Sequence, residues 1–407
     1  MEYQFVEGGV TAPKGYKAGG VHCGIRKNIA KADLAMIVSS APCAAAAVYT
    51  QNLVKGAPIL VTKENLKDGR AQAVICNSGN ANTCNADGVE KARKMCTLAA
   101  NALGLAPEDI VVASTGVIGL VLPIEPIESG IPALVKALSE NGSEDAAKAI
   151  MTTDTAVKNF AVECGLGGKK VKIGGIAKGS GMIHPNMGTM LCFLTTDAAI
   201  SAKALDAALR AAVDVSFNMV SIDGDTSTND TCAVLANGLA GNAEIAEPAG
   251  GDFKIFTEAL TQLCVRIART LAKDGEGASK LIVCNVTGAK DEANAKAAAK
   301  GVIHSTLFKA AMFGSDANWG RVLCALGYCG TETDVTKVGV SFSSKAGNIT
   351  VCENGAGVPF SEESAKKTLS EDEVTVNVGL GDGDACATAF GCDLTYDYVK
   401  INGDYRS

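Results

Sequence analysis

Residues 177–196 read AKGSGMIHPNMGTMLCFLTT, a glycine-rich stretch that passes through a Pro185-Asn186 turn into the apolar run Leu191–Thr195. Gly188-Thr189 stands there where a hydroxyl can act on its own preceding peptide. A threonine hydroxyl is a weak nucleophile without an adjacent base, and a free N-terminal amine on the same residue supplies one. Attack by Oγ of Thr189 on the Gly188 carbonyl would give an ester that water hydrolyses. The α-amine released has a reference pKa of about 7.7–8.0, suited to general-base work near neutral pH. Spacing alone also allows Thr189 to be an ordinary strand residue.

Outward from this stretch, Gly165–Gly188 is the region richest in glycine, a residue that permits close backbone approach and positive φ. On either side, short β-branched or apolar runs alternate with alanine-rich segments, predicting α/β or α+β layering. Ile59–Lys63, Ala71–Cys76, Ile110–Ala113, Leu191–Thr195, Lys280–Val286, Lys337–Phe342, Ile349–Cys352, Val374–Val378 and Thr395–Ile401 read as strands. Three helices are expected: Glu90–Leu103, stopped by Gly104; one capped by Ser201 with Leu205, Leu209 and Val213 at i+4 spacing; and one marked by Phe256, Leu260, Leu263, Ile267 and Leu271. From Lys337 onward the strands crowd together, which predicts antiparallel pairing.

The chain has 407 residues, 47% hydrophobic and 20% charged, with 45 Gly and a net charge of −7. That composition excludes disordered and collagen-like classes and provides no global positive field for nucleic acid or anionic membrane. A small-molecule partner is the better expectation. No apolar signal segment is present in residues 1–20, and Ala35–Val48, interrupted by Ser39, Ser40 and Pro42, is too short to span a bilayer. Fifteen cysteines without a CxxC pair read as reduced, buried residues of a cytoplasmic protein. Only His22, His184 and His304 are available, too few for a multi-histidine metal site, and no metal is expected. Gly174–Ser180 lacks the Gly-Lys-Ser/Thr order of a phosphate loop. Asp223–Val234 lacks the glycine and glutamate of a calcium loop.

Residues 177–196 resemble the self-cleavage segment of the ornithine acetyltransferases of arginine biosynthesis, with pattern KGxGMIxPNMATML. Further blocks match in order: Gly8–Lys27, NSGNAN (Asn77–Asn82), STGVIG (Ser114–Gly119), MTTDT (Met151–Thr155), SIDGDTSTNDT (Ser221–Thr231), KDGEGASK (Lys273–Lys280), GSDANWGR (Gly314–Arg321) and Thr395–Ser407. The resemblance implies an α/β/β/α layered sandwich like that of the DmpA-type aminopeptidases. It also implies autocatalytic division into residues 1–188 and 189–407, which share one site and assemble as α2β2. Thr189 would be the nucleophile, and Thr115 and Gly116 would form the oxyanion hole. Thr152, Lys178, Glu276, Asn402 and Ser407 would bind substrate. The implied reaction moves an acetyl group from N2-acetyl-L-ornithine to L-glutamate through acetyl-Thr189, without a cofactor. Acetyl-CoA is a possible alternative donor, and a DmpA-like aminopeptidase using water is the alternative activity. Two positions depart from the family pattern: Gly188 replaces the usual alanine, and Ser407 replaces a frequent threonine but keeps the hydroxyl. Because an amine already serves as base, His184 is assigned a supporting role.

Overall fold

Along Leu34-Ala35-Met36-Ile37, successive side chains enter different cores. Leu34 and Met36 pack with Ala73, Ile75, Ile110 and Val112, whereas Ala35 and Ile37 pack with Val74, Cys76, Val111 and Ala113. This two-residue period is the pleat of strands covered on both faces, which calls for continuous apolar runs. The computed structural model describes residues 3–184 and 190–403 and divides into two units.

The first unit comprises the described residues up to Gly179, those from Met190 to Asp214, and Thr226–Ile267. Its strands are β1 (Tyr3–Val6), β2 (Tyr16–Val21), β3 (Leu34–Tyr49), β4 (Arg70–Asn80), β5 (Ile110–Val117), β6 (Lys158–Leu166), β7 (Lys169–Lys178), β8 (Leu191–Thr196) and β9 (Thr231–Ala236). They form one sheet in the order β1-β6-β7-β8-β9-β3-β4-β5, with β2 added to β3. The pairs β4–β5 and β8–β9 are parallel. Helices α1 (Ala57–Asn65), α2 (Gly88–Leu103) and α3 (Glu125–Ala137) supply Val61, Met95 and Leu134 to the core on one face, and α4 (Ser143–Ile150) supplies Ala146 and Ile150 to the core on the other. Helix α5 (Ala202–Asp214) packs on β3, and α6 (Gly251–Lys273) lays Leu263 and Ile267 over Gly175 of β7. Register sets Lys178 opposite Leu191 and Leu191 opposite Thr231. The chain therefore enters β8 at Leu191 between the end of β7 and the start of β9.

The second unit contains Ser180–His184, Val215–Asp225 and the described residues from Ala268 onward. Strands β10 (Leu281–Ala289), β11 (Gly339–Ser344), β12 (Gly347–Glu353), β13 (Glu373–Gly379) and β14 (Ala385–Cys392) are ordered β12-β11-β13-β10-β14. Short edges at Ala356–Gly357 and Val220–Ser221 extend the two sides. Helices α7 (Glu292–His304), α8 (Thr306–Phe313), α9 (Trp319–Tyr328), α10 (Glu362–Leu369) and α11 (Tyr396–Gly403) complete the unit. Ala295, Ala299 and Val302 of α7 close over Ile282, Cys284, Val376 and Val378 of the sheet. Each Val or Ile removed from water here contributes roughly 1.5–3 kcal/mol.

Two sheets with attached helices are the mixed α/β fold that the sequence predicts. All three expected helices form: Gly104 takes φ 70° at the end of α2, and Ser201 Oγ accepts from Ala204 N at 3.1 Å at the start of α5. Two strand expectations are corrected. Ile59–Lys63 lies inside α1, where Pro58 occupies the first turn and Thr62 Oγ1 bonds the Val112 carbonyl at 2.7 Å. Thr395–Ile401 lies largely in α11, started by Asp397 N donating to Thr395 Oγ1 at 3.2 Å. The late strands are antiparallel at β11–β12 and β11–β13, but β13 pairs parallel with β10, with α10 intervening between β12 and β13. All fifteen cysteines are free thiols. No helix of the described residues is long and apolar enough to cross a membrane.

Candidate functional site

In the first unit, β5 continues through Ser114-Thr115-Gly116, which is not the strand-ending turn that these residues suggest by themselves. Gly116 adopts φ 132°, and a Cβ there would lie 2.4 Å from the Gly79 carbonyl carbon. Only glycine fits so close to the backbone of β4. The strand end is held by asparagines. Ser114 Oγ donates to Asn77 Oδ1 at 2.6 Å, and Asn229 Nδ2 donates to the carbonyls of Ala81 and Ser114 at 2.6 and 2.9 Å. Asn229 Oδ1 in turn accepts from Thr83 and Thr228, each at 2.6 Å. The amide is thus nearly saturated, which fixes the backbone carrying Thr115 and Gly116.

Asp154 ties Thr152 to Lys178. Its Oδ2 accepts from Thr152 N at 3.0 Å, and its Oδ1 accepts from Gly179 N and from Lys158 Nζ, both at 2.6 Å. Asp154, Lys158 and Lys178 are all buried. Burial alone would raise the Asp154 carboxyl, but Lys178, Lys158 and the Gly179 N–H together hold it well below the usual carboxylate range. With Asp154 ionised, its carboxylate faces the ammonium groups of both Lys158 and Lys178. A cavity of about 300 Å³ opens beside Thr152 and Asp154, lined also by Arg26, Lys31 and Lys148.

In the second unit, Glu276 is buried at 8% exposure, unlike the exposed turn acid that its Asp-Gly-Glu-Gly setting suggests. Its N–H donates to Ser180 O at 2.8 Å, and its Oε2 accepts from Asn402 Nδ2 at 2.7 Å. A Cβ on Gly181 would fall 2.3–2.5 Å from the carboxylate, so the glycine makes room for it. The two substrate-binding residues expected here therefore touch each other.

The chain leading toward position 185 is fixed by Asp223, which accepts from Met182 N at 2.6 Å and Ile183 N at 2.9 Å. His184 Nδ1 pairs with Ser221 Oγ at 3.0 Å, and its ring lies 4.5 Å from that of His304. Burial, helped by Lys300 and His304, lowers the His184 imidazole to about 4 and keeps it neutral near pH 7. Gly188, Thr189 and Ser407 lie outside the described residues. Sequence reasoning assigned no role to Asn77, Asp154, Lys158, Asp223 or Asn229. Asn77, Asp154, Asp223 and Asn229 fall within the matched blocks and Lys158 lies three residues beyond one, and the signal available was the density of Asn and Asp in those blocks.

The model of the ArgJ family matches residues 17–407. The chain belongs to the ArgJ family. It is 52% identical over 406 residues to the arginine biosynthesis bifunctional protein ArgJ of Symbiobacterium thermophilum, covering 99% of this chain and 100% of that one. The Bacillus subtilis protein of the same name is 47% identical over 404 residues, covering 99% and 97%. A crystal structure of ArgJ from Bacillus halodurans is 43% identical with a TM-score of 0.50, covering 52% of this chain and 97% of that one. As an ArgJ-family member this protein is an acyltransferase of arginine biosynthesis.

Proposed function

We propose that this protein cleaves itself between Gly188 and Thr189 and then transfers the acetyl group of N2-acetyl-L-ornithine to L-glutamate by a ping-pong route. The burial of Glu276 against Gly181, with Asn402 on its carboxylate, carries this reading: a desolvated, positioned carboxylate suits the side-chain ammonium of ornithine. Lys178, set by the Asp154 network, and Thr152 receive the substrate carboxylate.

Oγ of Thr189 bonds to the acetyl carbon while its proton passes to the Thr189 α-amine. The carbonyl π pair moves onto oxygen, which Thr115 and Gly116 stabilise; one such donor is worth on the order of 2.7–4 kcal/mol. Collapse breaks the C–N bond, and the ammonium returns the proton to departing ornithine. Glutamate's amine then takes the acetyl group by the reverse sequence. The Bacillus halodurans chain, matched almost throughout by about half of this one, supports a division into pieces. Assembly as α2β2 and a cytoplasmic setting complete the proposal, together with acetyl-CoA as a second donor in keeping with the name "bifunctional" of the relatives.

The test is intact mass and N-terminal sequencing of wild type and Thr189→Ala, with acetyl transfer from both. The expected result is two wild-type chains, one beginning at Thr189, and an uncut, inactive variant. A cut or active Thr189→Ala protein refutes the mechanism. Initial rates with acetyl-CoA decide the second donor.

A further inference from the structure

The proposed transfer asks one enzyme to hold two side chains of opposite charge. Ornithine ends in an ammonium and glutamate in a carboxylate, although both carry the same α-amine and α-carboxylate. Glu276, buried and with Asn402 on its carboxylate, suits the ammonium and repels a second carboxylate. Thr152 and Lys178 are taken up by the α-carboxylate. The γ-carboxylate of glutamate therefore needs a cation of its own.

Arg26 is placed to supply it. The loop after β2 is pinned by Asp33, which is fully buried and accepts from Cys23 N at 2.6 Å, Gly24 N at 3.3 Å and Arg26 N at 2.9 Å. The arginine stem then lies against the end of β4, where a Cβ on Gly79 would fall 2.9 Å from Arg26 Cγ. Gly79 is the register partner of Gly116. At the far end of the side chain, Nη2 donates to the carbonyl of Met151, the residue before Thr152. Arg26 thus runs from the strand end expected to form the oxyanion hole to the threonine expected to bind substrate, and it lines the cavity of about 300 Å³ beside that threonine.

The other charged groups on this cavity are matched or exposed. Lys148 pairs with Glu144 at 2.7 Å, and Asp154 pairs with Lys158 at 2.6 Å. Lys31 and Asp145, both exposed, stand on the wall with opposite signs. Arg26, half-buried, is anchored at its backbone and at its guanidinium, which fixes a positive charge there. We infer that Arg26 binds the γ-carboxylate of the acceptor glutamate, so that donor and acceptor share the α-carboxylate site but send their side chains to different places. The planar guanidinium matches a carboxylate in shape as well as charge. This inference rests on the proposed function and names the acceptor's specificity residue.

The test is the kinetics of the processed enzyme with glutamate and its uncharged isostere glutamine as acceptors. Wild type should prefer glutamate at least tenfold in kcat/KM; a smaller preference overturns the inference, whatever any variant does. In Arg26→Gln that preference should fall at least tenfold through a raised KM for glutamate, as expected on losing a hydrogen bond to a charged group. KM for acetylornithine and single-turnover release of ornithine should stay within threefold of wild type. Equal rises in both KM values, which a merely structural role beside Thr152 would give, overturn it, as does an undiminished preference for glutamate. Arg26→Lys keeps the charge and loses the fork, and KM for glutamate should rise about three- to tenfold with acetylornithine unaffected. An unchanged KM for glutamate in Arg26→Lys overturns the inference even where Arg26→Gln fails to fold. If wild type acetylates glutamate while these tests fail, only the role of Arg26 falls; if wild type acetylates none, the proposed function falls with it.

Discussion

Removing the charge of Asp154 is the sharpest test of how the first unit holds Lys178. In Asp154→Asn the side-chain volume is kept, but Lys158 Nζ and the N–H groups of Thr152 and Gly179 face a neutral amide whose nitrogen cannot accept. Two buried ammonium groups are left without their shared carboxylate. Removing one partner of a buried ion pair costs about 3–5 kcal/mol. At about 1.4 kcal/mol per factor of ten, local opening should become on the order of 10²- to 10³-fold more frequent. Hydrogen exchange of peptides covering 152–158 and 177–180 reads this directly, and exchange in β11 and β12 of the second unit should not change. Because the carboxyl's folded pKa is depressed, its stabilisation is fully present above the unfolded value of about 3.9 and lost as pH falls below it. The opening free energy of these wild-type peptides, taken from exchange corrected for the intrinsic rate at each pH, should therefore fall on acidification below about pH 4, and the variant should lose that dependence. Acceleration of less than fivefold in the variant at neutral pH would refute the view that Asp154 organises these lysines.

Three further outcomes follow from the geometry. Gly181→Ala places a Cβ within 2.5 Å of the Glu276 carboxylate and should raise KM for acetylornithine at least tenfold with a smaller effect on kcat; an unchanged KM would count against Glu276 as the ammonium site. Asn229→Ala strands the carbonyls of Ala81 and Ser114 at a cost of about 1–3 kcal/mol, and kcat should fall roughly tenfold or more while the protein remains folded by circular dichroism. His184, lowered by burial, should titrate by NMR near 4, so the stability from its neutral form is complete above the unfolded value of about 6.5 and declines as pH falls toward 4; a midpoint above 6 would contradict its burial.

The helices and the central strands were legible because each depends on a local pattern. The i+3/i+4 series from Phe256 to Leu271 and the glycine at 104 are each properties of a single segment. Other elements were not, because their cause lies elsewhere in the chain. Strand β3 contains Ser39, Ser40 and Pro42, which look like a break, yet pairing with β4 shifts register between Val38 and Cys43 and accommodates the proline there. Thr395–Ile401 is rich in aromatic and β-branched residues, as strands commonly are. It becomes a helix with Tyr396 and Val399 exposed, started at Thr395, whose Oγ1 is fixed to Gly277 O at 2.6 Å. That contact spans more than a hundred residues, and no local propensity reports it.

The same distinction separates the site residues that resemblance could carry from those it could not. Thr115, Thr152, Lys178 and Glu276 each stand in a motif with a known role, but what fixes them comes from outside the motif or from a neighbour without an assigned role. Asn229 holds the strand end of Thr115, Asp154 joins Thr152 to Gly179, and Gly181 clears space for Glu276. A chain with net charge −7 nevertheless buries Lys158 and Lys178 with Asp154 and places Asp230 nearby.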